Sequence, residues 1–394
     1  MPVVVLLYQR EKAGAAVLIR TAGEMAARTG QRGDEENMAV TLKEIAQNCN
    51  VSVTTVSNIL NGKPKVSEET RRRVLEAINE LEYHPNYFAQ GLRRQKTMNI
   101  GIIAEDLAQF TTSDIVEGIM EWCENKGYHI LLQNLRLYAR WGDTWYDQPD
   151  LVRTVLDPAV REFSSIKVDG VIYVAGHERK INYFPGDLAT PSVLAYCCSD
   201  QPVSSVQIDD ETSGYEMVKY ILSQGHTRIG VVSGRADNLH SMNRLLGYQR
   251  ALYDAGVLYN PRWIKYGDWV PEKAYQATEE LLREQVTAIF CMSDWMAGGV
   301  YTCIGEHGLK VGRDIAVTGF DDERAAGWYQ PRLTSGGLPL HEIGSEAARI
   351  LLEKLGRLEA GEDGDACSPE HVSIPCHLVV RDSVHRIGDA GQQA

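Results

Sequence analysis

The chain has 394 residues, too many for one ordinary hydrophobic core, and its 44% apolar and 24% charged residues fit a globular protein of two or three domains. No apolar run approaches the roughly 20 residues a membrane span needs, and the apolar start at residues 1–8 is cut short by Arg10, Glu11 and Lys12, so no signal peptide is expected. The net charge of −13 argues against a chain basic throughout, yet residues 38–97 hold nine basic against six acidic residues, a mildly basic module on an acidic body.

Residues 1–37 end in a polar run and are expected to be a disordered extension, or one lying ahead of the true start at Met38. Residues 38–84 then read as three short helices. Thr41-Leu42-Lys43-Glu44 is a capping box, and Leu42, Ile45, Ala46 and Cys49 fall on one helical face. Asn50 suits the left-handed conformation of a tight turn. Ser52 caps a second helix whose inner face is Val53 or Val56, with Ile59 and Leu60; Asn61-Gly62-Lys63-Pro64 ends it. Ser67 caps a third helix, with Glu68 and Glu69 in the first turn and Val74, Ile78 and Leu81 as its stripe. His84-Pro85 breaks that helix, and 85–98 is a short linker, helix-compatible but too short to be stable alone.

From Asn99 the rhythm changes. Strands are expected at 100–104, 128–133, 170–174, 192–196, 228–233, 288–292 and 315–320. Helices are expected at 114–126, 212–224, 243–255, 271–284, 294–307 and 341–356, so parallel sheets carry helices on both faces. Residues 136–165 interrupt the alternation and read as an insertion with some helix. No G-x-G-x-x-G follows the first strand, and no G-x-S-x-G, phosphate loop or H-E-x-x-H occurs, so neither a dinucleotide site nor an enzyme is expected. Asp209-Asp210 and Asp321-Asp322 are the nearest things to catalytic carboxylates. The eight cysteines show no metal spacing, and adjacent Cys197 and Cys198 suit neither an easy disulfide nor a clip; reduced thiols, no metal and no cofactor are expected.

Two short helices joined by a tight turn cross steeply, and the second can enter a major groove with its first residues facing base edges. Here those are Val53, Thr54 and, one turn on, Asn58. Asn58 can pair bidentately with adenine and Val53 can touch a thymine methyl; Ser52, Thr55 and Ser57 offer short hydroxyls to phosphate. The alternative is a three-helix bundle with no nucleic-acid role.

The segments Val40-Thr41-Leu42-Lys43-Glu44-Ile45-Ala46 and Val51-Ser52-Val53-Thr54-Thr55-Val56-Ser57-Asn58-Ile59-Leu60-Asn61, followed by Tyr83-His84-Pro85-Asn86, Ala89 and Leu92, resemble the head-piece of the LacI/GalR family of bacterial repressors. The similarity extends thinly to about Asp382. The resemblance implies an all-α helix-turn-helix head-piece, a hinge helix, and a two-lobed α/β core like the type I periplasmic sugar-binding proteins. It gives Val53, Thr54 and Asn58 the base-reading positions, Leu92 the minor-groove wedge and Ala89 its hinge partner. Paired Leu92 side chains from a dimer would kink the duplex by roughly 20–90°, with Arg93 and Arg94 beside phosphate; the alternative is a plain linker.

Two such lobes bind small molecules at the carboxyl ends of their strands. Phe110, Thr112, Arg244, Trp269, Ser293 and Asp321 lie where loops leave strands. An aromatic face for a pyranose, with Arg and Asp for its hydroxyls, is the chemistry of a sugar-like site. The resemblance implies effector contact for Arg244, Trp269 and Asp321. Ser293 departs from a commoner Asn or Asp, and Cys197 stands where some sugar-binding members use Asp. Each has a plainer alternative: Asp321 a helix cap, Trp269 a core packer, Arg244 a surface ion pair.

The expected protein is therefore a cytoplasmic, homodimeric, ligand-controlled repressor. Its partners would be a pseudo-palindromic duplex operator and a carbohydrate-like effector, with no membrane. The expected division is a head-piece at 38–84, a hinge at 85–98, one lobe at 99–208 and 338–368, the other at 209–337 and 369–382, and a flexible tail at 383–394. A transporter's sugar-binding protein would need a secretion signal and no helix-turn-helix.

Overall fold

The computed structural model describes residues 41–60, 66–81, 96–186, 188–361 and 368–387. The extension 1–37, the turn 61–65 and residues 82–95 of the linker, with Ala89, Leu92 and Arg93, lie outside the described residues. The chain divides into two units, Met1–Tyr87 and Phe88–Ala394.

The first unit holds α1 (Leu42–Asn48), α2 (Val53–Leu60) and α3 (Glu68–Glu80). The capping box forms: Thr41 Oγ1 accepts from the Glu44 amide at 3.4 Å, and Glu44 Oε2 accepts from the Thr41 amide at 2.6 Å. Asn50 turns the chain at φ 49°, and the Ser67 hydroxyl caps α3. Packing decides the inner face of α2: Val56 is fully buried with Ile59, whereas Val53 is 40% exposed. With Ile45, Ala46, Cys49, Val74 and Ala77 they form the whole buried core of the unit among the described residues. So small a core tolerates little loss. Ile45→Ala should cost the head-piece about 2–5 kcal/mol and melt it while residues 96–387 stay folded, giving two separated thermal transitions; a single unshifted transition would contradict this.

In the second unit, lobe 1 is a parallel sheet in the order β11-β5-β4-β3-β1-β2. Its strands are β1 (Asn99–Ala104), β2 (His129–Asn134), β3 (Gly170–Val174), β4 (Ser192–Ala195), β5 (Ser204–Ile208) and β11 (His371–Ile374). Alternation along β1 feeds two layers. Ile100 and Ile102 pack on α4 (Phe110–Asn125) and α11 (Leu340–Glu359), while Ile103 packs on the other side. That other side is covered by α5 (Leu137–Trp141) and α6 (Pro149–Ile166). The stretch 136–165 thus supplies the crossover between β2 and β3. Its Val152, Leu156, Ala159 and Phe163 are core residues, with Pro149 opening α6 and Pro158 inside it.

Lobe 2 is a parallel sheet, β7-β6-β8-β9, of strands β6 (Ile229–Ser233), β7 (Ile264–Tyr266), β8 (Ala288–Cys291) and β9 (Ala316–Thr318). Its helices are α7 (Asp210–Ser223), α8 (Leu239–Asp254), α9 (Pro271–Arg283) and α10 (Asp294–Glu306). Both lobes use glycine where helices cross. A Cβ on Gly344 of α11 would lie 2.0 Å from the Ile115 carbonyl of α4, and one on Gly247 of α8 would lie 2.1 Å from the Glu211 carbonyl of α7.

The chain passes between the lobes after β5, between β10 (Ser335–Gly337) and α11, and between β11 and β12 (His377–Val379); β10 and β12 form an antiparallel ribbon. Because β11 pairs with β5, residues 371–374 belong to lobe 1, beyond the expected boundary at 368. The expected tail is held as far as 387. Ser383 is fully buried, its hydroxyl donates to the Val317 carbonyl at 2.6 Å, and the Ile387 amide donates to Gln224 at 2.9 Å.

Candidate nucleic-acid interface and ligand cleft

On α2, burial of Val56 and Ile59 turns the opposite face outward. Ser52, Val53 and Thr54 are exposed, and Thr55, Ser57 and Asn58 are partly so. The Ser52 hydroxyl accepts from the Thr55 amide at 3.0 Å and lies 2.8 Å from the Thr55 hydroxyl, so both are first engaged in capping the helix. Val53, Thr54 and Asn58 are left on the open face.

In the second unit, Arg244 is no surface ion pair. It is 2% exposed, and its Nε donates to Asp210 Oδ1 and its Nη1 to the Met292 carbonyl, both at 2.7 Å. Its guanidinium lies 3.5 Å above the centre of the Phe320 ring. Asp210, at the start of α7, also meets His240 Nδ1 at 2.6 Å. Although burial alone would lift the Asp210 carboxyl, Arg244 and His240 outweigh it and hold the group below its ordinary value.

Lobe 1 supplies Glu178 and Tyr196. Glu178 is 2% exposed and accepts from the Ile208 amide at 2.7 Å; the Tyr196 hydroxyl stands 3.5 Å from His240 Nε2 across the cleft. Glu178, Asp210 and His240 each bring one polar atom within 4.8 Å of the others. Asp321 follows β9 at φ 106°, in the left-handed region, and no hydrogen bond to its carboxylate occurs among the described residues. It is drawn electrostatically to Arg244, but burial dominates and lifts its carboxyl well above the usual range.

The other expected residues divide. Trp269, also at positive φ (65°), lies against Gly234, where an added Cβ would be 2.0 Å from its ring. Beside it, a depression of about 430 Å³ is lined by Arg235, Ala236, Asp237, Asp268, Val270 and Lys273. Ser293 is the cap of α10, accepting from the Met296 amide at 3.1 Å. The Asp294 carboxylate does not cap the helix but ties Ser335 (2.7 Å) and the Glu323 amide (2.9 Å). Phe110 opens α4 and is 42% exposed, and the Thr112 hydroxyl is buried without a hydrogen-bond partner among the described residues. Cys197 corrects the expectation that it could stand in for a ligand-binding Asp. It is fully buried in the lobe-1 layer with Tyr173 and Phe184, while its neighbour Tyr196 packs in the opposite layer and reaches the cleft.

Sequence reasoning passed over Glu105 and Arg179 entirely. Glu105 is fully buried and accepts from the Gly176 amide (2.8 Å), Tyr173 (2.7 Å), Tyr183 (3.0 Å) and both terminal nitrogens of Arg179. Arg179 in turn lies 4.6 Å from the Trp145 ring and 5.2 Å from that of Tyr146, so 136–165 closes over this network. A usable signal existed for His240, which stands one helical turn before Arg244.

Two family profiles match the chain: "Bacterial regulatory proteins, lacI family" over residues 41–86, and "Periplasmic binding protein-like domain" over 218–384. Catabolite control protein A of Priestia megaterium is 32% identical over 330 residues, covering 81% of this chain and 94% of the relative. The HTH-type transcriptional repressor PurR of Vibrio vulnificus is 29% identical, covering 88% and 99%. Among solved structures, the Lac repressor dimer bound to operator and the anti-inducer ONPF aligns with a TM-score of 0.67 at 25% identity, over 88% of this chain and 99% of that one. The transcriptional regulator CelR in complex with cellobiose aligns with a TM-score of 0.55 at 26% identity, over 87% and 99%. No helix among the described residues is long and apolar enough to cross a membrane.

Proposed function

Since this chain belongs to the lacI family of bacterial regulatory proteins, we propose that it is a homodimeric repressor, working in the cytoplasm, whose grip on a pseudo-palindromic operator is set by a small molecule held between lobes 1 and 2. The observation that carries the reading is the buried polar floor of the cleft. Arg244, Asp210 and His240 from lobe 2 meet Glu178 and Tyr196 from lobe 1 at the carboxyl ends of both sheets. A hydrophobic protein would have no use for charges sealed there, and each is fixed by a partner that orients it.

Val53, Thr54 and Asn58 are proposed to read bases, with Ser52, Thr55 and Ser57 at phosphate. Arg244, Asp321 and Trp269 are proposed to hold the effector, with Phe110 and Thr112 at the lobe-1 rim. The dimer follows from operator geometry, since two recognition helices about one helical turn apart need two-fold symmetry, and the Lac repressor relative is described as a dimer on operator. A carbohydrate-type effector is supported by the CelR–cellobiose relative. The relatives are named as a control protein and transcriptional repressors, which supports a sensor without catalysis.

The test is a thermal-shift screen of sugars, sugar phosphates, amino sugars and nucleosides on the full chain, followed by operator binding with and without each hit. The reading expects at least one hit that changes operator affinity by about 5–150-fold; hits that bind and leave operator affinity unchanged would overturn the switch. Trp269→Ala should weaken the hit at least about tenfold, because the indole supplies a ring-sized apolar face, while operator affinity without ligand stays constant. An unchanged ligand affinity would remove Trp269 from the site.

A further inference from the structure

Asp294, the first residue of α10, is 1% exposed, and every polar group it carries is engaged. Its amide donates to the Phe320 carbonyl at 2.7 Å, and its carbonyl accepts from the Tyr329 hydroxyl at 2.9 Å. Its carboxyl group reaches further, accepting from the Glu323 amide at 2.9 Å and from the Ser335 hydroxyl at 2.7 Å. Ser335 is fully buried and opens β10, and the same hydroxyl oxygen accepts from the Asp322 amide at 3.1 Å. One chain of hydrogen bonds therefore joins α10, the turn 321–323 and the ribbon strand β10. Room is made for it: a Cβ on Gly319 would lie 2.1 Å from Asp294 Oδ1. The contact of Ser335 with Asp294 is a hydrogen bond whichever oxygen donates, so the tie survives protonation of a carboxyl that burial lifts to about 7.

The turn so held is costly. Asp321 and Asp322 are consecutive non-glycine residues at positive φ, 106° and 54°, a backbone that persists only where its surroundings over-determine it. The ties that do so run mostly to the ribbon. The Asp321 amide donates to the Gly336 carbonyl at 2.8 Å, and the Asp321 carbonyl accepts from the Leu338 amide at 3.4 Å. The Asp322 carboxylate accepts at 2.6 Å from Arg381, just past β12, whose guanidinium also donates to the Leu333 carbonyl at 2.9 Å. The backbone that bears Asp321 is thus fastened to both strands of the ribbon. Capping of α10 asks for none of this, since the Ser293 hydroxyl already does it.

We propose that Asp294 is a positioning residue of the switch: through Ser335 it locks the turn bearing Asp321 to the ribbon between the lobes, so that a displacement of Asp321 by effector is passed to β10 instead of being absorbed in the turn. The proposal rests on the reading of Asp321 as an effector contact. Without the tie, turn and ribbon move separately; effector still binds, and the angle between the lobes no longer follows it.

The experiment uses the full chain, wild type and with Asp294→Asn and Ser335→Ala, singly and together. The first exchange keeps size and leaves one acceptor for the Glu323 amide. The second deletes the hydroxyl without adding bulk, and it reads the same tie if the first variant fails to fold. Hydrogen exchange without ligand comes first, followed at amides whose own acceptors are untouched: Asp322 and Leu338 in Asp294→Asn, Glu323 and Leu338 in Ser335→Ala. These should exchange at least about tenfold faster than in the wild type, while the amides of β6 and β8 stay within about threefold. Faster exchange spread through α10 and the sheet of lobe 2, or no change at the turn, would show Asp294 to be a staple of the core and overturn the proposal. The Leu338 amide should exchange no faster in the double variant than in the faster single one, because both exchanges cut one tie; effects that multiply overturn it.

Cellobiose, a glucose phosphate, glucosamine and adenosine, one from each class of the screen, are then titrated with and without operator, with Asp321→Ala as the control. A probe that binds should keep its affinity for both variants within about threefold, while its effect on operator affinity falls from about 5–150-fold to under about threefold. An undiminished effect on operator overturns the proposal. If Asp321→Ala leaves the affinity of the probe intact, the reading of the site falls and takes the switching role with it, even where exchange shows the tie. Exchange without the tie overturns the proposal and leaves the site standing.

Discussion

Arg244→Ala is expected to cost about 3–5 kcal/mol of stability and to abolish ligand control of operator binding. The cost comes less from the lost contact than from what remains. Asp210 is 1% exposed and would keep only His240 for its charge, while the Met292 carbonyl would lose its 2.7 Å donor. A second exchange, Asp210→Asn, removes the stranded charge, so the double variant should recover a large part of the stability of Arg244→Ala. The coupling in that double-mutant cycle should exceed about 1 kcal/mol, and ligand response should stay lost. Denaturant unfolding measures the first quantity, and operator titration with a screened hit the second. Additive losses would mean that Arg244 and Asp210 do not act as a pair.

Asn58→Asp should weaken operator binding on the order of 100-fold or more. The amide can both donate to and accept from one adenine, a pairing of about 1–3 kcal/mol; the carboxylate loses the donor and adds a charge facing the phosphates. Asn58→Ala separates the two effects. It should lose the base-pairing share alone, relax specificity at one position of each half-site, and leave the slope of affinity against salt unchanged. Because Asn58 is only partly buried and Val56 and Ile59 carry the packing, neither exchange should move the melting temperature of the head-piece appreciably. An alanine variant that binds operator like the wild type would take Asn58 out of the interface.

The head-piece was legible because everything that defines it lies within a few residues: a capping box at Thr41 and Glu44, a left-handed Asn50, a cap at Ser67, and stripes at helical spacing. Only the choice between Val53 and Val56 needed the partner helices. The alternation of strands and helices was readable for the same reason, with exceptions that share a cause. Helix α6 hid behind Pro149 and Pro158, one a helix starter and the other a tolerated interior proline. Strand β10 is Ser335-Gly336-Gly337, which reads as a turn, and β5 begins with two serines. The cleft was half legible. Arg244, Trp269 and Asp321 stood out by residue type at strand ends, but the floor is assembled from four separate elements bearing Glu178, Tyr196, Asp210 and His240. No spacing in the chain records that meeting. Cys197 illustrates the remaining difficulty: one position separates the residue that faces the other lobe from one sealed in the core.

The ribbon of β10 and β12 sets the mechanics of the switch. Two of the three passages between the lobes are stitched to each other, Ser335 to Val379, Gly336 to Leu378 and Gly337 to His377. A two-stranded strip resists stretching along its length and shearing in its plane, but it bends and twists cheaply. The lobes themselves are stiff, since backbone is pressed on backbone where Gly344 meets Ile115 and Gly247 meets Glu211. The lobes can then pivot only about the three passages, two of them bound into one strip, like a door on a strip hinge. Whatever enters the cleft can report itself only as an angle.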